Sequence, residues 1–177
     1  MQYIYIQPIG EIEQELYDYL STELKKVYFY SCKVALRMEI PEISYNVRRR
    51  QYNAEILVFG MMKQMPSDAK SMIGIIDADL FVPDLNFVFG LAYHDTAVIA
   101  LPRLRPECYG EDKNIFLFKE RILKEAVHEL GHTFGFAHCP DIRCIMHLSN
   151  NLADTDIKGP GLCRVCSVNS QARRARE

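Results

Sequence analysis

Three of the five histidines of this chain lie within the eleven residues HELGHTFGFAH, and their spacing restricts how the chain can fold. His128 and His132 are four residues apart, so on a helix their rings project from one face about a turn apart. Two nitrogens in that arrangement hold one Zn²⁺ at about 2.0–2.1 Å. Gly135 can adopt a positive φ and turn the chain, which brings His138 back as a third ligand. Three protein ligands leave a fourth position open for water, as in catalytic zinc sites.

Two more residues of this segment have expected roles. Glu129 follows the first ligand directly but is offset from it, so it can act as a general base on a metal-bound water without being a ligand. Gly131 lies inside the predicted helix, where glycine costs about 1 kcal/mol relative to alanine. We therefore expect the later turn carrying Met146 to pack closely against Gly131; the alternative is that this glycine is a neutral accident of sequence.

Four of the six cysteines form a second cluster directly after the histidines: Cys139, Cys144, Cys163 and Cys166. Four thiolates make a closed tetrahedral zinc site with Zn–S distances of about 2.3 Å. Adjacent residues of an extended chain point to opposite sides, so His138 and Cys139 are expected to bind two different zinc ions. Two disulfides, or a redox-active C-x-x-C pair, are the alternatives.

The region from residue 136 onward is rich in Cys, Pro, Gly, Asn and Asp and has little hydrophobic periodicity. Such a segment cannot build its own core, whereas structural zinc contributes on the order of 10 kcal/mol in small zinc modules. We expect the second zinc to hold this region together and to fix the segment that carries His138. The isolated Cys32 and Cys108 are interpreted as small buried hydrophobic residues.

The rest of the pattern predicts a single domain of mixed α and β structure. Residues 1–135 are expected to form a sheet and helix subdomain, 136–166 a zinc-stapled subdomain, and 167–177 a disordered tail. The long helix is expected to begin at an Asn114 or Asp112 cap and to end at Gly135. Strands are predicted at 2–6, 27–34, 72–80, 86–95 and 96–104, and helices at 10–27, 52–65 and 114–135.

Composition excludes several functional classes. The net charge of -2 argues against a nucleic-acid partner, although the four cysteines and the RRAR run would also suit a nucleic-acid-binding zinc protein. No apolar run reaches the roughly 18 residues that span a bilayer, and MQYIYIQPIG lacks the features of a signal peptide. We expect a cytoplasmic monomer with neither a membrane nor a nucleic-acid partner, and we interpret RRR at 48–50 as solvated surface.

The order of these motifs is more specific than any one of them. HELGHTFGFAHC runs into PDIRCIM, then sixteen residues, then CRVC. This pattern resembles the archaemetzincin family of metzincin-clan zinc metallopeptidases, in which the last spacer has seventeen residues. The resemblance implies an α/β (α+β) fold with a metzincin-like mixed twisted sheet, a long zinc-binding helix and a C-terminal loop subdomain stapled by zinc.

The resemblance also implies a function and further site residues. Met146 would form the apolar floor of the site, and residues 86–93 would be an antiparallel edge strand that pairs with substrate through Phe89, Gly90 and Leu91. Gly90 would allow the substrate backbone to approach closely; the alternative is an ordinary sheet strand that tolerates a glycine. A tyrosine that some metzincins use to stabilise the oxyanion is replaced here by Leu148, with His147 as a possible substitute.

We expect two Zn²⁺ per chain and a zinc-dependent peptidase acting on a peptide or protein substrate, in which zinc activates water and Glu129 is the general base. Both aminopeptidase and endopeptidase action stay open. The alternative is a zinc-stabilised peptide- or protein-binding module with weak or no turnover.

Overall fold

The computed structural model describes residues 1–168 of the chain. The expected disordered tail therefore lies outside the described residues from 169 onward, while residues 167 and 168 belong to a short helical segment, 164–168. The strands are β1 (Tyr3–Ile9), β2 (Cys32–Val34), β3 (Tyr45–Asn46), β4 (Gln51–Asn53), β5 (Ala69–Ile76), β6 (Leu80–Phe81), β7 (Gly90–Tyr93) and β8 (Thr96–Ala100). Besides the short segment 164–168, the α-helices are α1 (Gln14–Tyr28), α2 (Ala54–Met62), α3 (Ile115–Thr133) and α4 (Leu152–Ile157).

A five-stranded mixed sheet organises the molecule, in the order β2-β1-β5-β8-β7. The first four strands are parallel, and β7 pairs antiparallel with β8 at one end of the sheet. A smaller sheet has the order β3-β4-β6. This arrangement confirms the predicted mixed α/β architecture. An antiparallel edge strand does precede the long helix, but it covers only Gly90–Tyr93 of the predicted 86–95, and Phe89 lies just outside it.

Helices cover both faces of the larger sheet, as a parallel sheet requires. Successive strand residues alternate between the two faces, so Ile73 and Ile75 of β5 join the core formed with α1 and α3. Met72 and Ile76 face the opposite way and join the core formed with α2. The sheet therefore provides a rigid platform, with α3 lying across it next to β7 and β8.

The predicted strand over 27–34 is mostly wrong, because α1 continues to Tyr28 and only Cys32–Val34 is strand. The Tyr28 hydroxyl donates to the Val127 carbonyl at 2.5 Å, and its ring stacks on Phe134 at 4.7 Å. These contacts favour continuation of α1 to Tyr28, although the β-branched and aromatic residues of 27–34 favour a strand. Phe29 then ends α1 with a positive φ of 61°.

Other boundaries shift by a few residues. The helix predicted at 52–65 begins at Ala54, because the Asn53 side chain caps it, and ends at Met62. The strand predicted over 96–104 ends at Ala100, and a 3-10 helix, Pro102–Leu104, follows. Cys108 is exposed rather than buried, because it lies in another 3-10 helix, Pro106–Tyr109, on the surface, and Cys32 is half-buried.

Both ends of α3 have the caps that the sequence predicts. Asn114 is the N-cap, and its side chain accepts a hydrogen bond from the Leu117 amide at 3.1 Å. At the other end, the amide of Phe136 donates to the Gly131 carbonyl and the amide of Gly135 donates to the His132 carbonyl. Gly135 has a φ of 81°, so this is the glycine helix ending that reverses the chain after the histidine pair. Within residues 1–168, no helix combines the length and apolar character needed to cross a bilayer.

Candidate active site and metal centres

The three predicted histidine ligands come together at the C-terminal end of α3. The ring centroids of His128 and His132 are 4.7 Å apart, and those of His132 and His138 are also 4.7 Å apart. One nitrogen from each of the three rings lies within 4.8 Å of the others. The turn at Gly135 is what returns His138 to the other two rings, as its positive φ allows.

Backbone carbonyls fix the tautomers of the first two rings. His128 Nδ1 donates to the Ile145 carbonyl and His132 Nδ1 donates to the Phe136 carbonyl, each at 2.8 Å. Because a carbonyl oxygen only accepts, each neutral ring carries its proton on Nδ1 and directs an Nε2 lone pair inward. The two Nε2 atoms face each other at 3.1 Å, where two lone pairs repel unless a cation lies between them. This donor set fits zinc, whose tetrahedral ligand nitrogens lie about 3.3–3.4 Å apart at Zn–N distances of 2.0–2.1 Å.

The electrostatic environment also favours neutral imidazoles. Burial, followed by the nearby Lys158 ammonium, lowers the pKa of His128 to about 3. Burial likewise lowers the pKa of His132 and of His138. Metal binding requires unprotonated ring nitrogens, so these surroundings prepare the three rings to act as ligands.

Glu129 lies beside the histidines with its carboxyl group largely removed from bulk water. The residue is 7% exposed, and burial, followed by the charge of Glu125, raises its pKa to about 8. A divalent cation at the three imidazoles would act in the opposite direction and favour the carboxylate. A Cβ atom at Gly90 would lie 2.6 Å from Cγ and 2.7 Å from Oε1 of Glu129, so the glycine leaves the space that this side chain occupies.

The expected packing of Met146 against Gly131 is confirmed. A Cβ atom at Gly131 would overlap Sδ of Met146 and lie 2.9 Å from its Cε. Met146 is fully buried, and its carbonyl accepts a hydrogen bond from the Cys139 amide at 2.9 Å. The glycine inside α3 therefore allows the turn at residue 146 to lie directly against the helix that carries two of the histidines.

The four predicted cysteines form a separate cluster. Their sulfur atoms lie within 4.8 Å of one another, and Sγ of Cys139 is 3.8 Å from Sγ of Cys163. That separation matches the edge of a zinc tetrahedron with Zn–S bonds of 2.3 Å, about 3.8 Å, and far exceeds the roughly 2.05 Å of a disulfide. All six cysteines are free in the described residues, so the disulfide alternative has no support.

The C-x-x-C pair has one feature that the sequence did not predict. Cys163 precedes the helical segment 164–168, and the backbone amide of Cys166 lowers the pKa of the Cys163 thiol. A redox pair also opens a helix, but here the sulfurs of Cys139 and Cys144 approach the same pair. Four converging sulfurs fit a metal better than a dithiol couple.

A cleft of about 720 Å³ opens in front of the histidines and Glu129. One side is formed by residues 85–92, and the other side includes Leu148, Ser149 and Asn150. The RRR run is not only solvated surface, because half-buried Arg49 donates to the Asn86 carbonyl at 3.0 Å and so supports this wall.

Leu148 occupies the cleft where some metzincins have their tyrosine, so no phenol is available there. The His147 ring donates from Nδ1 to the Cys139 carbonyl at 2.8 Å. A neutral ring in that tautomer keeps only an acceptor at Nε2, and His147 is not among the residues lining the cleft. The structure therefore gives no support to His147 as the oxyanion donor.

Sequence reasoning missed a buried polar cluster that begins at the cleft wall, where Glu125 is one of the lining residues. Glu125 accepts hydrogen bonds from the Thr155 hydroxyl at 2.9 Å and from the Lys158 ammonium at 3.4 Å. Glu125 lies four residues before Glu129 and so shares its helix face, which was an available signal. Nothing in the local sequence indicates that Thr155 and Lys158 are its partners.

Comparisons with known proteins agree over nearly the whole chain. The model of peptidase family M54 matches residues 1–172. The archaemetzincin of Methanocaldococcus jannaschii is 37% identical over 172 residues, which cover 96% of this chain and 93% of the relative. The archaemetzincin of Pyrococcus furiosus is 38% identical over 181 residues, which cover 98% and 94%.

Solved structures give the same result. The archaemetzincin of Archaeoglobus fulgidus, complexed with malonate, is similar with a TM-score of 0.81 and 32% identity, covering 94% of this chain and 99% of that one. A zinc-dependent peptidase of Methanocorpusculum labreanum is similar with a TM-score of 0.84 and 28% identity, covering 94% and 99%.

Proposed function

The chain belongs to peptidase family M54, the archaemetzincins, and on that premise we propose that it cleaves peptide bonds with Glu129 as general base beside a zinc held by His128, His132 and His138. Membership of this family makes the chain a zinc metallopeptidase. The observation that carries the residue assignment is the pair of inward Nε2 atoms, 3.1 Å apart, with both Nδ1 atoms already bonded to carbonyls.

Zinc in this site supplies a Lewis acid for the scissile carbonyl and lowers the pKa of water toward about 7. The chain's own residues provide the remaining chemistry. Glu129 lines the cleft next to the three rings, so its carboxylate can take a proton from the attacking water and pass it to the leaving amine. Its buried position keeps the carboxylate poorly solvated and therefore a stronger base than an exposed glutamate.

The substrate is proposed to bind as an extended strand along β7. Phe89 directs its carbonyl to the Ala100 amide at 2.8 Å, and Gly90 pairs with Ile99. By the alternation of an antiparallel ladder, Gly90 and Ala92 then direct their backbone N–H and C=O groups to the outer edge of the sheet. Of the proposed strand residues Phe89, Gly90 and Leu91, Gly90 is therefore the one whose backbone is best placed to pair with a peptide.

A second zinc is proposed at Cys139, Cys144, Cys163 and Cys166, which gives two ions per chain. Two observations support this second site. The four sulfurs converge, and His138 and Cys139, which are adjacent in the chain, belong to different clusters. This zinc would stabilise the segment that carries His138 and Cys139, because a closed thiolate site contributes folding free energy.

The test is a peptide-library screen with the zinc-loaded protein and its Glu129→Gln variant. We expect the variant to keep both zinc ions and to lose at least about a hundredfold in kcat, since general bases contribute about 10²–10⁴-fold. Glu120→Gln is the matched control, because Glu120 lies on the same helix with 55% of its side chain exposed. Absence of cleavage by the zinc-loaded wild type would contradict the proposal and favour a peptide-binding module.

A further inference from the structure

Lys158 is a fully buried lysine just behind the active site. It follows α4, its side chain is 0% exposed, and its ammonium donates to Glu125 Oε1 at 3.4 Å. The same ammonium donates to the main-chain carbonyl of His147 at 3.2 Å. Lys158 thus joins three parts of the chain: the end of α4, the helix that carries the zinc ligands, and the turn that follows Met146.

Stability alone does not account for this arrangement. A buried ion pair is often no more stabilising than apolar residues of the same volume, because both charges lose their hydration. The α4 region is already attached to α3 by Arg121, which makes a bidentate ion pair with Asp156 at 2.7 Å. What Lys158 adds is its bond to the His147 carbonyl.

That bond is the first of a series that ends next to the third histidine of the site. Lys158 holds the carbonyl of His147, and the His147 ring donates to the Cys139 carbonyl at 2.8 Å. The Cys139 amide in turn donates to the Met146 carbonyl at 2.9 Å. Residues 146–147 and Cys139 are therefore locked together, and His138 is the residue immediately before Cys139.

His138 needs such backbone support more than the other two histidines. The rings of His128 and His132 are oriented by carbonyls, whereas in residues 1–168 no hydrogen bond is found for the ring of His138. His138 is also exposed, while His128 is buried. The position of its ring thus depends mainly on where its backbone is held.

We propose that Lys158 is a positioning residue for His138, acting through the His147 carbonyl and the His147–Cys139 contact. The inference rests on the proposed histidine zinc site. Loss of this support lowers the affinity of the histidine site for zinc, as loss of outer-shell partners of metal ligands does, by about 10–100-fold. The cysteine site keeps its own four ligands and is less affected.

The experiment measures zinc affinity by chelator competition on the full chain, without substrate. Lys158→Met is compared with Lys124→Met, a matched control whose side chain is 3% exposed and bonds Asp156 and Glu120 instead. His138→Ala identifies which step of the titration belongs to the histidine site. We expect a 10–100-fold loss for Lys158→Met and less than a threefold change for Lys124→Met.

Two further variants separate positioning from charge and from misfolding. The double variant Glu125→Gln/Lys158→Met removes both charges. If the bond to His147 is what matters, the double variant is expected to recover the thermal stability lost in Lys158→Met but not the zinc affinity. His147→Phe changes a half-buried side chain, so it is expected to leave the fold intact, which thermal unfolding checks, and to weaken the histidine site as well.

Wild-type zinc affinity in Lys158→Met would overturn this inference and leave the proposed function standing, whatever the result for His147→Phe. Recovery of zinc affinity in the double variant would also overturn it, because the loss in Lys158→Met would then come from the buried Glu125 carboxylate left without a partner. Absence of zinc from the histidines of the wild type would overturn the proposed function together with this inference.

Discussion

Gly90→Ala tests how closely the general base is confined by the edge strand. The backbone of Gly90 lies outside the positive-φ region, so alanine adds steric overlap without backbone strain. The new Cβ would lie 2.6 Å from Glu129 Cγ, where ordinary contact begins at 3.4 Å. The Glu129 side chain must therefore move by roughly 1 Å, and misplacement on that scale costs about 10²-fold in rate.

We expect kcat to fall about a hundredfold, or about 2.7 kcal/mol in activation free energy, with zinc content and KM nearly unchanged. Steady-state kinetics on a peptide from the library screen measures this, and metal analysis confirms full zinc occupancy. Gly60→Ala is the control, since no atom lies within 4 Å of a Cβ built at Gly60.

Two results would refute the reasoning that Gly90 confines Glu129. A Gly90→Ala enzyme with full zinc and a kcat within threefold of wild type would show that Glu129 is not confined there. A raised KM with unchanged kcat would instead support the sequence-based expectation that Gly90 allows the substrate backbone to approach closely. Adding Gly90→Ala to Glu129→Gln should cause no further loss, because the group being displaced is already inactive.

Other substitutions test the packing and the second metal. Cys163→Ser should remove the zinc of the cysteine cluster and weaken zinc binding at the histidines, because Cys139 adjoins His138; metal analysis that finds the histidine site unaffected would contradict this. Gly131→Ala should lower the free energy of unfolding by about 1–3 kcal/mol through overlap with Met146, measured by denaturant titration, and an unchanged midpoint would be the opposing result.

The site was predictable from sequence because its parts are local. Helical spacing places His128 and His132 together, and a glycine three residues later explains the return of His138. The cost of Gly131 inside a helix pointed to a close neighbour, and Met146 occupies that place. Each of these inferences uses residues separated by fewer than twenty positions.

The rest depends on contacts between distant residues. Tyr28 stays helical because it bonds Val127 and stacks on Phe134, which no local pattern shows. The helix α4 has only six residues and no hydrophobic periodicity, although Asn151 and Asp154 form a capping box that marked its start. Lys158 reaches Glu125 across thirty-three positions, and such pairings require the fold to be known.

Diffraction from crystals of the zinc-loaded protein at the zinc absorption edge tests the central claim most directly. Two anomalous peaks per chain are predicted, one within about 2.1 Å of a nitrogen of His128, His132 and His138 and one about 2.3 Å from the four cysteine sulfurs. A single peak at the cysteines, with the ring of His138 turned away from the other two, would contradict the account.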